Sequence, residues 1–221
     1  MKRLLRAAYE KFVAPRVQQM YFNDLIRSTR NFTKIKWLGY PVWQNVLDLW
    51  TVQEVIADIK PELLIECGTN KGGSARFYAH LFDLMGKGAV LTIDVEKMHE
   101  LVHPRITFLQ GSSVSEDIVA QVKSRVTGTQ GPVMVILDSD HSEQNVLNEL
   151  WIYDSFVTNE SYCLVQDGVI DTLPVFKASR PGPLPAIERF LAERDDFLLR
   201  QDLCSRFLIT HHPKGWLQRR H

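Results

Sequence analysis

Two short stretches hold the residues best suited to chemistry. Asp138-Ser139-Asp140-His141 and Gln166-Asp167-Gly168 each follow an apolar run, so carboxylates arrive where two strands end. Oxygen donors with room for water suit a hard cation such as magnesium, and the paired Cys or His spacings of structural zinc are missing. A cation held there can bind a hydroxyl directly, lower its pKa and orient its oxygen. His141, three residues beyond Asp138, is placed to take the hydroxyl proton as general base, a role worth about 10²- to 10⁴-fold. The competing reading is a helix-entry histidine bonded to backbone. Asp140 reads equally well as the cap of a helix beginning near Ser142.

A third stretch, LLIECGTNKGGSARFYAHLF, reads as strand, turn and helix, with Gly68, Gly72 and Gly73 at the turn and Thr69 and Ser74 beside them. A dinucleotide fingerprint needs G-x-G-x-x-G, and Asn70 stands where backbone would approach a pyrophosphate. NAD and FAD are therefore disfavoured. S-adenosylmethionine has no phosphates and tolerates E-x-G-x-x-x-G-G, and Glu66 suits its cationic amine. Asp94, at the end of the following strand, can accept both ribose hydroxyls. For Cys67 the preferred reading is a small buried hydrophobe.

Those residues need a parallel sheet to bring them together. After Pro61 apolar runs alternate with helical segments, the pattern of an α/β sheet covered on both faces. Strands are expected at 63–67, 89–95, 106–111, 133–140 and 162–168, and helices near 73–85, at 115–126 and from Ser142. Residues 169–185, with Pro174, Pro181, Pro183 and Pro185, read as an irregular loop long enough to be a lid. AIERFLAERDD reads as helix, and FLLRQ and RFLITHH as a terminal antiparallel pair. Residues 1–60 read as a helical appendage and 61–221 as the catalytic domain.

Lys plus Arg and Asp plus Glu both total 26 in 221 residues, so no global charge points to nucleic acid. The excess of Lys2, Arg3, Arg6, Lys11, Arg16, Arg27, Arg30, Lys34 and Lys36 is local. It fits an amphipathic arm that binds anionic lipid or a second subunit, or a solvated helix face. Cys67, Cys163 and Cys204 are odd in number and far apart, which fits a reduced, cytoplasmic setting. No stretch has the roughly 20 apolar residues of a membrane span. There is no G-x-S-x-G, H-E-x-x-H or phosphate-binding G-x-x-x-x-G-K-[ST] motif. His211 and His212 are expected to face solvent.

From about Trp37 to Ile209 the chain resembles the family named for cephalosporin hydroxylase and rhamnosyl O-methyltransferase. The resemblance rests on WLGYPVWQNVLDLWTVQEVI, LLIECGTNKGGSARFYA, IDV, ILDSDHS, VQDGVID and GPLPAIERFL. It implies a Rossmann-like class I methyltransferase with a mostly parallel seven-stranded sheet, using S-adenosylmethionine and magnesium or another divalent cation. It implies that Glu66, Gly68 and Asp94 hold the cofactor with Ser74 in the same pocket, that Asp138 and Asp167 bind metal, and that His141 is the base. Thr69 and Asp138 join the cofactor contacts. Where the family has a Glu-Asp pair this chain has Gln166-Asp167, so a neutral amide oxygen replaces one anionic ligand. The resemblance also favours assembly through the N-terminal segment.

The leading expectation is methyl transfer to a hydroxyl of a sugar, glycolipid, polysaccharide or secondary metabolite. Two alternatives are a partner in β-lactam hydroxylation or methoxylation and a non-catalytic subunit that binds S-adenosylmethionine. Acceptor choice is expected to reside in the 169–185 loop and in aromatics such as Trp37, Tyr40 and Trp43.

Overall fold

The computed structural model describes Leu5 and residues 8–220. Lys2, Arg3 and Arg6 of the basic segment lie outside them. The architecture is a seven-stranded sheet with helices on both faces. Its strands are β3 (Leu63–Cys67), β4 (Ala89–Asp94), β5 (Ile106–Gln110), β6 (Val133–Leu137), β7 (Tyr162–Val165), β8 (Phe197–Leu199) and β9 (Trp216–Arg219), preceded by a small hairpin of β1 (Lys36–Trp37) and β2 (Tyr40–Pro41). The order across the sheet is β5-β4-β3-β6-β7-β9-β8. Neighbours from β5 to β7 pair parallel, and β9 is antiparallel to both β7 and β8.

β3, β6 and β7 are buried along their whole length because both faces are covered. Side chains alternate accordingly. Ile65, Cys67, Val135, Leu137, Cys163 and Val165 enter one core with α4 (Glu116–Thr127), α5 (Glu143–Tyr153) and α6 (Pro183–Glu193). Leu64, Met134, Ile136 and Leu164 enter the other with α2 (Val46–Ile59) and α3 (Gly73–Met85). Asn45 caps α2, its side chain accepting from the Leu47 amide, and Leu49, Val52, Val55 and Ile56 insert into the core. The N-terminal helical segment runs from Tyr9 to Ser28, with α1 (Ala14–Phe22) at its centre. Among the described residues no helix is long and apolar enough to cross a membrane.

Two expectations need correction. Residues 169–185 are not irregular: 3-10 turns occupy Gly168–Asp171 and Pro174–Ser179, and α6 starts at Pro183. Asp171 holds the segment by accepting from the Gly182 and Leu184 amides, and Arg180 donates to the carbonyls of Ile170 and Leu173. A carboxylate at a helix start supplies the donors' missing partner, and prolines there set the backbone for the first turn. The terminal pair is FLL with WLQR, not with RFLITHH. Trp216 and Leu217 are buried against β7, whereas Leu208 takes a left-handed φ of 68° that breaks extended pairing.

Candidate active site

The sheet changes direction of winding between β3 and β6, and open α/β sheets bind ligands at that switch point beyond the carboxyl ends of their strands. There the turn after β3 touches the end of β6: a Cβ on Gly68, whose φ is +101°, would lie 2.0 Å from the Asp138 carbonyl oxygen. Only glycine allows that approach. Two cavities, about 440 and 290 Å³, open on either side of this contact and share Gly68, Asn70, Asp138 and Ser139 as walls.

The larger cavity is walled by Asp94, Val95 and Met98 from the end of β4 and by Gly111, Ser112 and Ser113 after β5. Asp94 is at its rim, accepting from the Asn70 amide at 2.7 Å and the Glu96 amide at 3.2 Å. Behind Ser113 and Ser139 lies Glu149 of α5, buried, accepting from both serine hydroxyls. Burial raises the Glu149 carboxyl, and those hydroxyls oppose the shift.

Glu66 shares a sheet face with Leu64 and is fully buried beneath the turn. Its carboxylate accepts from the Thr92 hydroxyl at 2.6 Å, and Thr92 in turn meets the Thr69 hydroxyl at 2.6 Å. Burial pushes the Glu66 carboxyl up to about 7, against the hydrogen bonds of Ser74 and Thr92. Its other oxygen has no partner among the described residues. Glu66 therefore braces the turn from below and lines neither cavity, while Thr69 and Ser74 line the smaller one.

The smaller cavity holds the acid-base group. Asp138, His141 and Asp167 each offer a ligand atom within 4.8 Å of the others, so two carboxylates that suit a hard cation meet beside an imidazole. His141 Nε2 lies 3.2 Å from Asp167 and 3.9 Å from Asp138. Burial would lower the imidazole, but the two carboxylates outweigh it and push His141 up to about 9. Asp138 is raised well above the usual carboxylate range by burial and by the Asp167 charge. For Asp167 burial also works upward, yet the imidazoles of His141 and His211 prevail and hold it well below that range. Asp140 accepts from the Ser142 amide and hydroxyl just ahead of α5 and lines the larger cavity.

Three placements depart from expectation. His211 and His212 are buried, not solvent-facing. His211 Nδ1 lies 3.4 Å from Asp167, and His212 Nδ1 accepts from the Asp167 amide at 3.1 Å. Both are drawn inward by Asp48 of α2, which accepts from the Thr210 hydroxyl and the His211 amide. Asp167 itself sits at a φ of 56°, a costly conformation for a non-glycine residue and one that concentrates at functional sites. Gln166 points to the opposite sheet face, toward the Tyr78 hydroxyl, with both amide atoms buried and away from the cavities. Asp167, two residues past β7 and in a left-handed turn, lines the smaller cavity, and Gln166 does not.

Gln44 was not foreseen. Its amide donates to Asp138 Oδ2 at 2.7 Å, and it lines the same cavity as Phe32 and Trp43. Of the three expected aromatics, only Trp43 lines this cavity, with the Lys71 ammonium over its ring. Trp37 donates to His80 Nδ1 and walls a separate apolar groove, and Tyr40 is covered by the Arg76 guanidinium at 3.6 Å.

Residues 29–220 match the family described as Rhamnosyl O-methyltransferase/CmcI. A rhamnosyl O-methyltransferase of Mycobacterium bovis (strain BCG / Pasteur 1173P2) is 32% identical over 215 residues, covering 94% of this chain and 85% of the relative. A solved CmcI structure with Mg and SAM superposes with a TM-score of 0.68 at 19% identity, covering 86% of this chain and 78% of that one. The MycE methyltransferase from the mycinamycin biosynthetic pathway, in complex with Mg, SAH and mycinamycin VI, gives a TM-score of 0.51 at 18% identity, covering 64% of this chain and 41% of that one.

Proposed function

The chain belongs to the Rhamnosyl O-methyltransferase/CmcI family and is an S-adenosylmethionine-dependent O-methyltransferase, and we propose that it methylates a sugar hydroxyl held in the smaller cavity while the donor fills the larger one. The observation carrying this reading is the shared wall: Asp138 borders both cavities, a second carboxylate and an imidazole converge beside it, and aromatic Phe32 and Trp43 flank the space where an acceptor ring would lie. Aromatic faces suit the apolar side of a sugar, and the polar floor suits its hydroxyls.

Asp138 and Asp167 fit a divalent cation such as magnesium, with the His141 imidazole beside them free to act as base. When bound, that cation supplies Lewis-acid polarisation of the acceptor hydroxyl. The chain's own residues do the rest. Gln44 fixes one Asp138 oxygen, and His211 and His212 fix Asp167. Asp94 faces the donor's ribose hydroxyls, and Gly68 lets the donor approach the backbone. As the acceptor oxygen bonds to the methyl carbon, the carbon–sulfur bond breaks, the sulfonium becomes a neutral thioether and the hydroxyl proton passes to His141 Nε2.

Replacing His141→Gln keeps the size and polarity of the side chain but removes the base. It is expected to lower kcat by about 10²- to 10⁴-fold with the affinity for S-adenosylmethionine unchanged. Stopped assays with methyl-labelled donor and a panel of soluble glycosides would measure it, and mass spectrometry of the product separates methyl ether from hydroxylated product. A hydroxylated product would support the β-lactam reading instead, and an unchanged kcat would remove His141 from the reaction.

Cation binding should also depend on pH with a definite sign. The carboxylates hold a proton on His141 up to about pH 9 in the cation-free protein, and an imidazolium beside Asp138 and Asp167 repels an incoming cation. Magnesium affinity measured by calorimetry should therefore rise by up to about tenfold per pH unit and level off near that value. A flat profile would mean that the His141 proton does not compete with the cation for Asp138 and Asp167.

A further inference from the structure

The N-terminal helical segment has two unlike sides. Its inner side is seated: Phe22 is fully buried with Val169 and Leu173, its ring 4.3 Å from that of His211, and Gln18 donates to the Thr210 carbonyl. On its outer side Phe12, Val13, Val17 and Met20 recur at helical spacing and are exposed, Phe12 by 60% and Met20 by 72%. A row of large apolar side chains in water marks an interaction surface.

The charge around that row is lopsided. Nine of the chain's 26 Lys and Arg but only two of its 26 Asp and Glu fall within residues 1–36. Lys11, Arg16, Arg27, Arg30, Lys34 and Lys36 are exposed, and none forms an ion pair among the described residues. An apolar stripe bordered by unpaired cations is complementary to an anionic lipid surface: the stripe enters the headgroup boundary while the cations meet lipid phosphates. Two such arms laid against each other would set like charges face to face. From these observations we infer that the segment from Phe12 to Met20 docks the enzyme on an anionic membrane surface. The arm leads within ten residues from Phe22 to Phe32, which lines the smaller cavity, so docking brings that cavity to the lipid boundary and fits acceptors carried on lipid.

Co-sedimentation of the full chain with phosphatidylcholine vesicles, with and without phosphatidylglycerol, tests this. Binding is expected only to the anionic vesicles and should weaken with added salt. Phe12→Glu with Met20→Glu should abolish it, and Lys11→Glu with Arg16→Glu should weaken it by about fivefold or more per position. Both pairs should leave S-adenosylmethionine binding intact, which reports the fold; Val17→Glu serves as a second stripe variant if the first pair fails that control. Absence of binding by the native chain, or binding indifferent to the stripe substitutions, overturns the inference. Stripe substitutions that instead lower the sedimenting mass while vesicle binding persists also overturn it, because the stripe would then cover a second copy. Vesicle binding without any methyl transfer would count against the proposed reaction and not against the arm.

Discussion

Asp138→Ala is expected to lower kcat/KM for methyl transfer by about a thousandfold or more while the fold and the affinity for S-adenosylmethionine stay close to native. Asp138 stands on the wall between the two cavities, so its removal takes away one ligand of the Asp138–His141–Asp167 group. It also leaves the Gln44 amide without its acceptor. Stability should not fall in proportion, because Asp138 is a buried carboxyl repelled by Asp167 and its loss relieves that repulsion. Thermal melting and calorimetry beside the assay separate the two effects. Full activity in this variant would refute the role given to the carboxylates.

Gly68→Ala should be more damaging to the protein as a whole. The added methyl group meets the Asp138 carbonyl at 2.0 Å and the Ser139 amide at 2.9 Å, both of them backbone. A backbone neighbour cannot rotate aside, so the turn after β3 and the end of β6 must separate, at a cost of about 3 to 5 kcal/mol from clash and left-handed strain together. Donor binding should be lost with it. Gly86→Ala is the control: its φ of 73° is similarly left-handed, but nothing lies within 4 Å of the new atom, so the expected cost is about 1 kcal/mol. Denaturant titration of both variants checks the contrast, and equal costs would show that the contact at Gly68 is unimportant.

The sheet was legible in the sequence because its central strands are buried on both faces and therefore appear as uninterrupted apolar runs. β3 and α3 fall on the expected residues, and the carboxyl-terminal ends of β4, β6 and β7 deliver Asp94, Asp138 and Asp167 to one rim. What escaped depends on contacts between distant parts of the chain. RFLITHH has the better apolar run, yet Asp48, more than 160 residues away, captures Thr210 and His211 and turns both histidines inward. The short strand WLQR carries too few apolar residues to announce itself, and it forms because Trp216 and Leu217 fill the space beside β7.

The proline-rich stretch looked irregular for a related reason. Asp171 and Arg180 satisfy its backbone from eleven and ten residues away, a bookkeeping that composition does not reveal. Gln44 had no motif to mark it; only the hairpin that precedes α2 brings its amide to Asp138. Gln166 was misplaced by counting neighbours along the strand end. The chain leaves β7 at Val165 and turns left-handed at Asp167, so Asp167 reaches the cavity while Gln166 stays buried near Tyr78.

The loop carrying His211 and His212 is secured by β9, which is wedged between β7 and β8 although it follows both in the chain. A ribosome must therefore release Trp216–Arg219 before the loop that brings His211 and His212 to Asp167 is secured. Nascent chains that stall earlier would present the glycine turn and Asp94 with an unfinished acidic centre. Synthesis thus reserves a complete acidic centre for chains that have inserted their last strand beside β7.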